Sequence, residues 1–106
     1  MMNKSKEQML KKITSPEHLG WVREWKDKGE ILKTRIKKRV AIAENDYLQI
    51  NTVDLIEFVE EKRREIRFGY YTTDRNGKWC WGQYCPCYPK RDLRQLLKKA
   101  KKAGIL

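Results

Sequence analysis

The chain is 106 residues long and carries 25 Lys and Arg against 14 Asp and Glu, a formal net charge of +11, with 40% apolar residues. A single α+β domain over residues 1–106 is expected at this length, with limited interior, and 10% aromatic content in long apolar periodicities excludes general disorder. No apolar run approaches the roughly 18 to 20 residues of a membrane span.

Charge is unevenly distributed. Residues 1–43 and 70–106 each carry a net +7, and residues 44–69 a net −3. Pairing consumes only the acidic groups, so a polyanion is the natural partner of the surplus. The N-terminus MMNKSKEQMLKKI lacks the uninterrupted apolar core of a signal peptide. Three cysteines cannot all pair within the chain, which fits a reducing compartment, and a cytoplasmic protein without membrane attachment is expected.

Residues 4–13 read as a short helix, loosely attached within residues 1–14. Ser15-Pro16-Glu17-His18 is a helix start, with a Ser cap and Pro in the first turn. Leu19, Val22 and Trp25 recur at helical spacing, and Gly29 ends that predicted helix. From Ile31 to Ala43 the β-branched residues favour strands interrupted near Lys37-Lys38-Arg39. Thr52 is the expected cap of another helix bearing Leu55, Ile56, Phe58 and Val59. On it Glu57 and Glu61 share a face, and Glu60 with Arg64 makes an ordinary ion pair.

Ile66–Asp74 and Lys78–Cys85 are strand-like runs joined across Asn76-Gly77, whose residue types suit the two positive-φ positions of a type I′ turn. Pro89 opens a last helix to about Ala103, with the stripe Leu93, Leu96, Leu97, Ala100 and Gly104 as its cap. The expected order is therefore α-ββ-α-ββ-α, an antiparallel sheet of hairpins packed on helices. Aligning Asp54-Leu55 with Asp92-Leu93 suggests a diverged ββα repeat, on only two shared dipeptides.

Cys80, Cys85 and Cys87, with His18, are the conceivable zinc ligands. The spacing C-x₄-C-x-C is poor for a knuckle, and strand alternation sends Cys80 and Cys85 to opposite faces, so neither metal nor cofactor is expected. Tyr84-Cys85-Pro86-Cys87 resembles the first Cys-Pro-Cys of the catalytic chain of ferredoxin–thioredoxin reductases, over four residues. That family holds an iron–sulfur cluster with further Cys-rich motifs, which do not follow Cys87, so the resemblance does not extend to the chemistry. No nucleophile–base pairing or Gly-rich phosphate loop is suggested, and no enzyme is expected.

With Asn76-Gly77 as a two-residue loop, Thr72 faces Trp81 and Tyr70 faces Gln83. One hairpin face then holds Ile66, Phe68, Tyr70, Trp79 and Trp81 and should be core. The other holds Arg67, Tyr71, Arg75, Lys78, Cys80 and Tyr84 around Gly69 and Gly82, a composition suited to single-stranded nucleic acid. Lys90, Arg91, Arg94 and Lys98 extend this basic surface along the last helix, followed by Lys99, Lys101 and Lys102, and Lys33, Arg35, Lys37, Lys38 and Arg39 join it from the centre. The expectation is a small, non-enzymatic nucleic-acid-binding protein of low sequence specificity, acting by phosphate neutralisation and aromatic stacking. The alternative is a protein-interaction module docking on an acidic partner protein, marked by Trp79 and Trp81 as an exposed patch.

Overall fold

The computed structural model describes residues 3–82 and 86–106. Its helices are α1 (Lys4–Ile13), α2 (Pro16–Leu19) and α3 (Lys90–Lys102), and its strands β1 (Arg23–Asp27), β2 (Glu30–Ala43), β3 (Gln49–Phe58), β4 (Arg63–Thr73) and β5 (Trp79–Gly82). All five strands pair antiparallel in chain order, a meander with β3 at its centre. The α+β class expected from the sequence holds, whereas the element order differs.

The Ser15 start is real but short. Ser15 Oγ accepts from the His18 amide at 3.3 Å, Pro16 opens α2, and Gly20 closes it after one turn. Trp25 then sits in β1 opposite Leu32, not on a helix. Gly29 is a turn residue: Lys28 (φ 49°) and Gly29 (φ 84°) form the two-residue left-handed loop joining β1 to β2.

The helix expected from Thr52 is strand β3. Ile50 to Asp54 are all buried in succession, because helices cover both faces of this central strand. Burial on both faces erases the alternation that marks a strand, and the spacing of Leu55, Ile56 and Val59 then mimics a helix. Glu57 pairs with Arg35 across the sheet at 2.9 Å, and Glu60 with Lys33 at 3.4 Å, in place of the expected helical pair with Arg64. Asp54 lies mid-strand while Asp92 lies in a helix, so the proposed ββα repeat has no counterpart in the fold.

Two one-residue irregularities decide which side chains face which way. In β2 the pairing with β3 shifts between Ile36 and Lys38, a bulge at Lys37. Ile36 pairs with Ile56 and Arg39 with Asp54, so the bulge turns Arg39, and not Lys38, onto the face of Ile36. The strand interruption expected near Lys37 is this bulge within one continuous strand.

The second irregularity is in the β4–β5 hairpin, where Thr73 pairs with Trp79 and Tyr71 with Trp81, one residue away from the expected register. Asp74 causes the shift. Its Oδ1 accepts from the amides of Asn76 and Lys78, each at 2.9 Å, and its own amide donates to Lys78 O at 2.8 Å. That closes a three-residue loop, Arg75 to Gly77, with Gly77 alone at positive φ (79°). Trp79 and Trp81 consequently join Arg67 and Tyr71, and the Tyr70–Gln83 pairing gives way to Tyr70–Gly82.

Each face of the sheet carries one core cluster. Ile13, Ile50 and Tyr71 are buried under α1, with Met9, Leu10, Trp79 and Trp81 packed around them. On the other face Val53, Leu96, Ala100 and Ile105 are buried under α3, with Val40, Leu55 and Tyr88 around them. Asn3 Oδ1 caps α1 by accepting from Ser5 N at 2.8 Å, and Ile13 is fully buried, so α1 is packed onto the sheet. The end of α3 is a Schellman turn: Gly104 (φ 79°) lets Ile105 N donate to Ala100 O at 2.8 Å, and Ile105 packs back on Ala100.

Candidate nucleic-acid interface

Helix α3 divides its surface by spacing. Leu96 and Ala100, at i and i+4, are buried, and Leu93 and Leu97 flank them. Arg91, Arg94, Lys98 and Lys102 recur on the opposite side, all exposed, with Gln95 between them. This stripe spans about 16 Å along the axis at ~1.5 Å per residue. Shallow hollows lie along it, one lined by Lys90, Arg91, Arg94, Gln95 and Lys98 and the next by Gln95, Lys98, Lys99 and Lys102. The acid of the helix, Asp92, is buried in the first turn, and among the described residues no α3 cation has a carboxylate partner. The stripe is therefore a run of cations held by a packed helix, with no compensating carboxylate among the described residues.

The hairpin half of the expected site is rearranged. Arg75 and Lys78 stand exposed at the β4–β5 loop. Tyr71 is buried (8% exposed), and its ring meets Trp81 edge-on at 4.9 Å. Gly69 does not leave room for a ligand: a Cβ there would lie 2.0 Å from Trp81 Cη2, so the indole already occupies the gap. Gly82 is covered in the same way by the Tyr70 ring. The Gly69–Tyr71 part of this face is thus interior, correcting the open stacking surface read from the sequence, while Arg67 keeps 26% of its side chain exposed. Tyr84 and Cys85 lie outside the described residues.

Beneath Trp81 sits a polar cluster that the sequence did not disclose. The Asp54 carboxylate, fully buried, accepts from Arg39 Nε (2.6 Å) and Nη2 (2.9 Å), and from Arg67 Nη2 (2.8 Å) and Nε (3.2 Å). Arg39 Nη1 also donates to Tyr71 Oη at 2.9 Å and to Ile13 O at 3.2 Å. Burial alone pushes the Arg39 guanidinium down; the hydrogen bonds and charge of Asp54 more than reverse this, and the net direction is upward. The guanidinium carbons of Arg67 and Arg39 lie 4.4 and 5.4 Å from the Trp81 ring centre. The bulge at Lys37 is what delivers Arg39 to this cluster, and no composition signal marks it.

His18 joins from α2. Its Nε2 meets Arg23 Nη2 (3.2 Å), Tyr71 Oη (3.4 Å) and Arg39 Nη1 (3.5 Å). Guanidinium groups only donate, so this nitrogen must accept and the ring must be neutral. Burial first, then the charges of Arg23, Arg39 and Lys12, push the His18 imidazole down to about 4. His18 is thus engaged by arginines, and among the described residues no three His, Cys, Asp or Glu side chains converge as metal ligands. Cys80 and Cys87 are both exposed.

Of the residues singled out in the sequence, Lys90, Arg91, Arg94 and Lys98 come together on α3. Arg75 and Lys78 form a separate basic tip, and Arg67 and Tyr71 belong to the buried cluster. Among the described residues no helix is long and apolar enough to cross a membrane. Compared with known proteins, the chain matches no family model, no curated protein and no solved structure.

Proposed function

We propose that the protein binds nucleic acid by phosphate neutralisation along α3, with low sequence specificity and no catalysis of its own. The observation that carries this reading is the stripe Arg91, Arg94, Lys98 and Lys102, exposed, evenly spaced and without carboxylate partners among the described residues. Phosphate contacts of this kind position a polymer without reading its bases. With Tyr71 in the interior, the expected preference for single strands loses its stacking surface, and duplex and single strand become equal candidates. The acidic-protein reading called for an open patch of Trp79 and Trp81, both of which are half-buried.

The test is fluorescence anisotropy of labelled single- and double-stranded oligonucleotides across a salt series. Four neutralised phosphates give a slope of log affinity against log salt near −3.5 for duplex and about −3 for a single strand. Arg94→Glu with Lys98→Glu should flatten that slope by about 2. Absence of binding at about 50 mM salt, or a slope unmoved by the double substitution, would overturn the proposal. Equal retention of polyglutamate would transfer the surface to an acidic protein partner.

A further inference from the structure

On the sheet face away from α3, Arg23, Glu24, Trp25, Thr34, Arg67 and Trp81 line an open cleft of about 270 Å³. In register, Arg23 pairs with Thr34 and Thr34 with Phe58, which places Arg23, Thr34, Asp54 and Arg67 on one face. Glu24 contributes to the rim, and its position opposite Lys33 belongs to the other face.

The charges around the cleft do not balance. Asp54 is the carboxylate of the cluster, and its oxygens already accept four bonds from Arg39 and Arg67. Arg23 is the third guanidinium, and it has no carboxylate partner among the described residues. Its donors go to Trp21 O (3.2 Å), His18 O (3.1 Å) and His18 Nε2 (3.2 Å), which fix its position without neutralising it. A neutral His18 adds no counter-charge. Three guanidiniums against Asp54 and the rim carboxylate of Glu24 leave the cleft net positive, with Arg23 itself unneutralised, an arrangement that favours an anion close by.

The walls indicate what else the anion carries. Trp81 is covered by Arg67 and Gly69, but Trp25 is 44% exposed on the strand beside Arg23, with its ring unclaimed by any aromatic or cationic neighbour among the described contacts. A flat ring can stack there. A phosphate suits this excess, because Arg23 and Arg67 both line the cleft and the several oxygens of one phosphate can accept from two guanidiniums. The volume lies near the lower end for ligand clefts, enough for one such group.

We propose that this cleft binds a single phosphorylated nucleotide, with the phosphate on Arg23 and Arg67 and the base on Trp25. The site is independent of α3, on the opposite face of the sheet. Its ligand is either a free mononucleotide or the phosphorylated end of a strand.

Titration calorimetry with the whole chain tests this, using AMP, UMP, adenosine, inorganic phosphate and a 5′-phosphorylated trinucleotide as probes. AMP should bind at least about tenfold tighter than adenosine or phosphate, since each lacks one of the two contacts. Arg23→Gln and Trp25→Leu should each weaken AMP about tenfold, while the α3 double substitution leaves it within about twofold. Tighter binding of the trinucleotide assigns a strand end, and equal or weaker binding a free nucleotide. Should Arg23→Gln not fold, saturation transfer from indole protons to the AMP base in the wild-type chain replaces it. Absence of AMP binding at about 5 mM, adenosine or phosphate binding as tightly as AMP, wild-type affinity in Trp25→Leu, or no transfer to the base would each overturn the proposal.

Discussion

Replacing Asp54 by Asn tests whether one carboxylate holds this half of the fold together. The amide keeps the size of the side chain and removes the charge that both Arg39 and Arg67 face. Arg39 is the more serious loss: its side chain is fully buried, and after substitution it faces one neutral amide oxygen and an NH2 group in place of the carboxylate, besides Tyr71 Oη, Ile13 O and the weak approach to His18. Leaving a buried charge without its partner typically costs about 3–5 kcal/mol. Arg67, 26% exposed, can turn to solvent and adds less than about 1 kcal/mol. The expected loss is about 4 kcal/mol, against a total stability of about 5–15 kcal/mol for a domain of this kind.

Arg39→Met breaks the same pair from the other side but should cost less, about 2–3 kcal/mol, because Asp54 keeps both hydrogen bonds from Arg67. The double variant should cost less than the sum of the two by about 2 kcal/mol. Urea unfolding at pH 7, followed by tryptophan emission at unchanged m, measures all three. An Asp54→Asn loss below about 1.5 kcal/mol, or a larger loss for Arg39→Met than for Asp54→Asn, would refute the reasoning.

Three further outcomes follow from local geometry. Gly69→Ala, a change that ordinarily favours a strand, should destabilise by about 1–3 kcal/mol, because the new Cβ meets the Trp81 ring; a red-shifted emission checks the displacement, and a gain in urea midpoint would contradict it. Gly104→Ala should cost about 1–2 kcal/mol, since Gly104 sits at φ 79° with Lys38 Nζ 3.0 Å from the added Cβ, and a lowered Tm reads it. His18 has a folded-state pKa near 4 against 6.5 for the free side chain, so between those values the unfolded chain takes up the extra proton. Its contribution to stability is full above pH 6.5 and is lost as pH falls toward 4, and His18→Gln should show a shallower fall in urea midpoint over that window than wild type.

What could be read from the sequence were features set by nearest neighbours. The Ser15 cap, the apolar stripe of α3 with Gly104 behind it, and a hairpin around Asn76-Gly77 each depend on residues within one turn or loop, and each is present. Helix against strand was misread at β1 and β3 because the deciding facts are tertiary: β3 is buried from both sides, and Trp25 faces its partner strand. The α3 cations were legible for the same local reason, since the apolar stripe of the helix dictates where its lysines point.

The buried cluster was illegible for a reason of a different kind. Alternation alone gives Lys38 the orientation of Ile36, and the bulge at Lys37 awards it to Arg39 instead. Alternation from a two-residue loop gives Trp81 to the Thr72 face, and the Asp74 side chain, by closing a longer loop, awards it to Tyr71. Both shifts act on the same place. The first brings Arg39 under Asp54, and the second brings Trp81 over Arg39 and Arg67, while the Arg67–Asp54 pair itself follows from the regular β3–β4 register. Tyr71, chosen as surface for nucleic acid, is interior against Trp81, and Arg67 is held by Asp54 and stacked on Trp81 with 26% of its side chain exposed. Where an arginine faces an acid across such a bulge, basic residues in a strand are as ready to be structural as to be a binding face. That leaves Arg23, the one guanidinium of the three that Asp54 does not hold, as the group around which the cleft is open to an anion.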